Sequence, residues 1–231
     1  MGEKLNFTIL FLIFTMMFFQ SCKKEDEYVP GINYTIYLDK QNRIIKRIEG
    51  STSTTLYQYT DNTVMISDIN YSHTYFLNDL SLADSCFTED LSYLGGWDKP
   101  RMTYFKYYTD GYMEYNGEGS FWYKYADGNR TEAIQDSSIS RYNRREYYYT
   151  YTSMPNIIDL EAFRGSFLGK INRNLISKII YNSGTLMNLT VDFSYILDSK
   201  NYVKKRTEIF TAIGMPTWKS IRNYEYIFLD N

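Results

Sequence analysis

The chain has 231 residues with 27 acidic and 25 basic side chains, one histidine, two cysteines and 25 tyrosines. A charge this close to balance supplies no net field to attract nucleic acid. Two cysteines rule out a disulfide framework, so burial must hold the fold together.

The first element is an apolar leader. Glu3 and Lys4 precede Phe7-Thr8-Ile9-Leu10-Phe11-Leu12-Ile13-Phe14-Thr15-Met16-Met17-Phe18-Phe19, thirteen residues interrupted only by two threonines. As a helix this run covers about 20 Å of a hydrocarbon core roughly 30 Å thick, too short for a comfortable span but within the range of a secretory signal. Phe19-Gln20-Ser21-Cys22 follows, with Lys23-Lys24-Glu25-Asp26-Glu27 behind it. This junction resembles the processing site of a bacterial lipoprotein, with small Ser21 before the cysteine and Gln20 where smaller residues are usual.

The resemblance implies cleavage before Cys22 and a lipid, with acyl chains such as palmitate, on its sulfur. The acidic run after the lysines resembles the export signal of Bacteroidetes surface lipoproteins, which implies an outer-membrane protein facing the cell exterior. The organisation is then a signal peptide at 1–21, a lipidated flexible tether at 22–31 and a single β-rich domain at 32–231. Removing residues 1–21 leaves 210, with 26 acidic and 24 basic side chains, enough for one substantial core.

In the body, aromatic and aliphatic residues recur at a spacing of two: Tyr34, Ile36 and Leu38; Tyr57 and Tyr59; Phe121, Tyr123 and Tyr125; Tyr147, Tyr149 and Tyr151; Phe193, Tyr195 and Leu197; Tyr224, Tyr226 and Phe228. Successive side chains of a strand point to opposite faces, so this period puts the rings on one side of a sheet. Between the strands, Leu38-Asp39-Lys40-Gln41-Asn42-Arg43-Ile44 and Leu197-Asp198-Ser199-Lys200-Asn201-Tyr202-Val203 match in Asp, Asn and flanking aliphatics. Tyr59 to Val64 and Tyr125 to Arg130 are shorter versions, and Asp110-Gly111, Gly117-Glu118-Gly119 and Asn182-Ser183-Gly184 are further turn signals.

Asp and Asn cap local backbone groups and tolerate left-handed conformations, so each cluster reverses the chain. Loops of two to five residues join only antiparallel neighbours. The expected fold is all-β: an antiparallel meander of tyrosine-rich hairpins forming a strongly curved sheet or half-open barrel, with at most a short helix near 159–164. Segments 78–100 and 153–174 lack clean alternation and are expected to cover sheet edges or the open end of the core.

Tyr-x-Tyr-x-Asp-x-x-Asn hairpins, together with Met154-Pro155-Asn156-Ile157-Ile158-Asp159-Leu160, Phe167-Leu168-Gly169-Lys170 and Asn172-Arg173-Asn174-Leu175-Ile176-Ser177-Lys178-Ile179, resemble a Bacteroidetes lipoprotein family classed as a domain of unknown function. The hairpins are also similar to the tyrosine-aspartate repeats of larger surface proteins. That family has no assigned activity, so the resemblance implies no catalytic residue.

Motifs for chemistry are scarce. No Gly-x-Ser-x-Gly, phosphate loop or dinucleotide fingerprint is present, and none calls for a cofactor. With Cys22 lipidated, His73 and Cys86 alone are too few for a zinc site built on histidine and cysteine. His73 aligns with Tyr71 and Tyr75 as a strand ring, and Cys86 reads as a small buried residue or a reactive thiol. Among acids, Glu114, Glu146, Asp192 and Glu225 lie in strands and are the candidates for a carboxylate hydrolase, with a solvated face as the simpler reading.

Trp97, Trp122 and Trp218 are the candidate ligand-binding residues; Trp97 and Trp218 sit beside Gly or Pro breaks where large side chains can be presented outward. Lys46, Arg47, Lys204, Lys205 and Arg206 follow the two matching turns and would form a basic strip if those hairpins were neighbours. Three functions compete: a surface binding or scaffold module for a glycan, peptide or envelope protein; a carboxylate hydrolase acting on glycans; and a carrier of an apolar ligand in the curved sheet.

Overall fold

The structure is a computed structural model that describes residues 31–91, 100–118, 120–135, 145–158, 166–182 and 188–229. The leader, Cys22, the tether before Gly31, Trp97 and the helix expected at 159–164 lie outside these residues. The described chain is all-β. Its fifteen strands run β1 (Ile32–Leu38), β2 (Ile44–Glu49), β3 (Ser53–Tyr59), β4 (Thr63–Ser67), β5 (Tyr71–Leu77), β6 (Ala83–Asp90), β7 (Arg101–Tyr107), β8 (Met113–Asn116), β9 (Phe121–Ala126), β10 (Asn129–Gln135), β11 (Glu146–Pro155), β12 (Asn174–Asn182), β13 (Asn188–Leu197), β14 (Val203–Ala212) and β15 (Trp218–Phe228).

Each strand pairs antiparallel with the next, and the sheet closes on itself through β1 and β15. The closing pair is parallel, running from Ile32 opposite Arg222 to Leu38 opposite Phe228. Parity requires this: every hairpin reverses the chain, so the last of an odd number of strands runs in the same sense as the first. The curved sheet anticipated from the hairpins therefore becomes a fully closed barrel, which leaves no strand edge exposed.

Four hairpins at one end share one turn. In residues 39–42, 78–81, 108–111 and 198–201 the fourth residue donates its N–H to the carbonyl of the first. That fourth residue has positive φ, at 58° in Asn42, 58° in Ser81, 88° in Gly111 and 65° in Asn201. Asp39 Oδ1 accepts the N–H groups of Gln41 and Arg43, and Asp198 Oδ1 those of Lys200 and Tyr202. The match read from the sequence is thus a match of hydrogen bonds. Asn78 plays the same part toward Leu80 and Leu82, whereas in the shorter Tyr59–Val64 loop the cap is Thr60 rather than Asp61.

A turn of this kind leaves one extra residue in the returning strand. The pairing register shifts beside all four turns, at Tyr37/Leu38, Phe76/Leu77, Lys106/Tyr107 and Ile196/Leu197. A bulge re-aims the side chains that follow it. Inward residues are consequently three apart at Ile44 and Arg47, Ala83 and Cys86, and Val203 and Arg206. The interrupted alternation of segment 78–100 has this cause over β6, where Ala83, Cys86 and Thr88 are buried.

The inward faces form one continuous core that includes Tyr34, Ile36, Leu38, Tyr57, Val64, Tyr75, Cys86, Phe105, Tyr123 and Tyr224. The connection between β11 and β12 supplies a plug. Ile158 and Phe167 join the core from it, and the Phe167 ring lies 5.0 Å from that of Tyr75. Lys170 and Arg173 donate their N–H groups to the Gly111 and Gly128 carbonyls. Gly169, at φ 94°, has space for no side chain, since a Cβ would meet the Gly111 carbonyl oxygen at 2.9 Å. The described residues 156–158 and 166–173 of segment 153–174 thus cover one end of the core.

Candidate functional site

The plugged end carries a cleft of about 830 Å³ between the turns of β1–β2, β3–β4 and β5–β6 and the plug. Its volume falls in the range of small-ligand sites. Ile44, Val64, Leu77, Ile158 and Phe167 give it an apolar floor, and Tyr59 and Tyr112 give it aromatic walls. Burial pushes the Tyr59 phenol well above its ordinary range, and its hydroxyl donates to the Ile44 carbonyl at 2.9 Å, which fixes the ring.

Exposed Arg43, Lys170 and Arg173 stand at the rim, with exposed Asp61 opposite them. Arg43 lies 4.5 Å from the centre of the Tyr59 ring, and Lys170 lies 5.4 Å from that of Tyr112. Asp39 pairs with Arg43 at 2.7 Å. The partial burial of Asp39 works to raise its pKa, but hydrogen bonds and charge from Arg43, with the Gln41 N–H, hold the carboxyl below its usual value. The Arg43 charge is therefore largely spent inside the turn, which leaves Lys170 and Arg173 to act on a ligand.

Deeper in the barrel, charge is held dry. Glu208, 2% exposed, receives Arg206 at 2.6 Å and Arg222 at 3.0 Å. Tyr34 donates to Glu49 at 3.2 Å and stacks on Tyr224, ring centres 5.3 Å apart. Burial pushes the Tyr224 phenol up to about 12, with the nearby Arg206 and Arg222 charges pulling the other way. Arg130 sits over the rings of Tyr123 and Tyr149. A further group joins two strands and a turn: ligand atoms of His73, Cys86 and Glu118 all lie within 4.8 Å of one another.

Among the described residues, the tryptophans and strand acids singled out in the sequence do not converge on the cleft. Trp122 is on the outer face of β9, 39% exposed, against Tyr115 at 4.7 Å and with the Lys106 amine 5.4 Å above its ring. Trp218 stacks on Phe210 at 5.1 Å, at the end of the barrel opposite the plug. Glu114, Glu146, Asp192 and Glu225 lie on β8, β11, β13 and β15, none of which neighbours another. Asp192 pairs with Lys178 at 3.2 Å on the outside.

The expected basic strip divides instead. β15 separates β1 from β14, and the bulges turn Arg47 and Arg206 inward while Lys46 stays outside over Tyr37. His73 is flanked by Tyr71 and Tyr75, each 6.3 Å away, as its spacing implied, and Cys86 is fully buried. The cleft escaped sequence reading because its walls come from turns and a plug far apart in the chain; only the unalternating segment 153–174 pointed toward it.

No family model matches the chain, and no curated protein matches its sequence. Solved structures share the fold, two of them porin-like proteins. A porin-like protein from Bacteroides uniformis ATCC 8492 is 20% identical, with a TM-score of 0.52, over 80% of this chain and 85% of that one. A porin-like protein from Bacteroides vulgatus ATCC 8482 is 16% identical, with a TM-score of 0.52, over 80% of this chain and 89% of that one.

Proposed function

We propose that the protein is a lipid-anchored envelope module, without catalytic activity, that holds a peptide or glycan bearing an acidic group in the cleft at the plugged end of its barrel. One observation carries the reading: an apolar and aromatic floor beneath the exposed cations Lys170 and Arg173. Such a floor buries the body of a ligand, while the rim charges orient its acidic group and speed its encounter.

The envelope location is supported by the apolar leader ending at Cys22 and by fold neighbours that are porin-like proteins of Bacteroides. Pore formation is not part of the proposal. Membrane-spanning barrels face lipid with an apolar band and keep a polar lumen. Here the inward face carries an aromatic core around the buried Glu208 and its arginines, and the outward face mixes exposed apolar side chains such as Leu56, Met102, Ile180 and Ile209 with ion pairs such as Lys124 with Glu132 and Lys178 with Asp192. The charge pairs interrupt what would have to be a continuous apolar band, which supports a domain standing in water on a lipid tether.

The test is a binding screen of the full chain in mild detergent against matched acidic and neutral peptides and glycans. Acidic members are expected to bind in the micromolar range or tighter. Joint Lys170→Ala and Arg173→Ala substitution should weaken them roughly tenfold and flatten their salt dependence. If no acidic member binds, or if binding is indifferent to both substitutions, the cleft is not the site.

A further inference from the structure

We infer that His73, Cys86 and Glu118 form a binding site for a thiophilic divalent cation, zinc being the ion that best fits the donors. The three residues come from β5, β6 and the turn between β8 and β9, and the barrel brings their ligand atoms within 4.8 Å of one another. Donors around a tetrahedral zinc ion at its usual bond lengths are about 3.4–3.6 Å apart. Side-chain adjustments of about an ångström therefore suffice to close the set on an ion.

The donor types select the metal. A thiol, an imidazole and a carboxylate together match borderline-soft zinc, whereas magnesium and calcium take oxygen ligands. Charge agrees as well. Binding releases the Cys86 thiol proton to solvent, and the resulting thiolate with the Glu118 carboxylate neutralises a divalent cation. A neutral assembly is the form that a largely buried site tolerates best.

The residues behind the donors orient them. Thr88, itself buried, has its hydroxyl 3.0 Å from His73 Nδ1 and 3.8 Å from Cys86 Sγ. The arrangement that serves both has Nδ1–H donating to the threonine oxygen while the threonine O–H points at sulfur, which makes Nε2 the metal-binding nitrogen. Tyr75 donates its hydroxyl to Glu118 at 2.8 Å, and Asn116 Oδ1 accepts the Glu118 N–H at 2.9 Å. Three protein donors leave a fourth tetrahedral position for water.

The experiment uses the full chain in detergent with Cys22→Ala, so that Cys86 is the one thiol present. After chelator treatment and desalting, cobalt(II) chloride is added and the near-ultraviolet thiolate-to-cobalt band is recorded, then zinc chloride is titrated to displace it. The expected result is one equivalent of cobalt, a band that zinc abolishes, and protection of Cys86 from a thiol reagent by zinc. Cys86→Ser should remove the band, and the conservative Glu118→Gln, with a β-type circular dichroism spectrum retained, should weaken zinc at least tenfold while leaving the band's origin in sulfur intact. Absence of the band at millimolar cobalt overturns the site, as does zinc affinity unchanged in Glu118→Gln.

Discussion

The two faces of the same barrel wall treat charge in opposite ways. Outside, Lys124 meets Glu132 and Lys178 meets Asp192 across neighbouring strands, in contact with water. Inside, Arg206 and Arg222 converge on a Glu208 that is almost completely buried. Tyrosines show the same division: Tyr34, Tyr57, Tyr75, Tyr123 and Tyr224 belong to the core, while Tyr104 lies exposed on the outside. Alternation sorts the faces in most strands, but the bulges after the shared turns place Arg47 and Arg206 within. A bulge can thus decide which chemistry a barrel encloses.

Alkaline titration should break the inner face first. Burial raises the phenols of Tyr59, Tyr107, Tyr125, Tyr224 and Tyr226 above the ordinary 10.0. A raised folded value means that the unfolded chain ionises first, so this stability is whole below pH 10 and is lost as pH climbs toward the folded values. Each group then costs up to about 1.4 kcal/mol for the first pH unit, and several kcal/mol together. Urea unfolding monitored from pH 8 to 11 should show a steep fall beginning near pH 10; a flat profile would mean that the rings are wet.

Next in size is Glu208→Ala. It removes the carboxylate on which the buried Arg206 and the partly exposed Arg222 converge and should cost about 3–5 kcal/mol in denaturant unfolding. The matched outer substitution, Lys178→Ala, should cost no more than about 1 kcal/mol, because exposed pairs are screened and flexible. Equal costs for the two would erase the distinction between the faces.

Much of the wall was legible in the sequence. The two-residue period of Tyr34, Ile36 and Leu38, and the paired Asp and Asn of residues 39–42 and 198–201, are local and describe the hairpins as they stand. Closure was not legible, because it depends on strand parity, and several strands, such as β8 with four residues, carry little pattern. Nor was the facing of Arg47, Cys86 and Arg206, since one extra residue per turn inverts everything after it. The β5–β6 turn hid behind Asn78 and Ser81, which make the same geometry from different residues. Glu118 lies 43 positions from the tyrosine that orients it, so counting histidines and cysteines leaves out the third donor beside His73 and Cys86. The aromatic candidates Trp122, opposite the Phe121 and Tyr123 face, and Trp218, beside a Pro break, sit apart, while the cleft is built on tyrosines and turn residues of ordinary appearance.

The most direct measurement is flotation of residues 22–231, carrying Cys22→Ala and prepared without detergent, through a density gradient with phospholipid vesicles. A barrel whose outer apolar side chains are interrupted by ion pairs should stay in the aqueous fractions as a folded β-protein by circular dichroism. Recovery with the vesicles, or a need for detergent to remain dispersed, would contradict a wall of that kind.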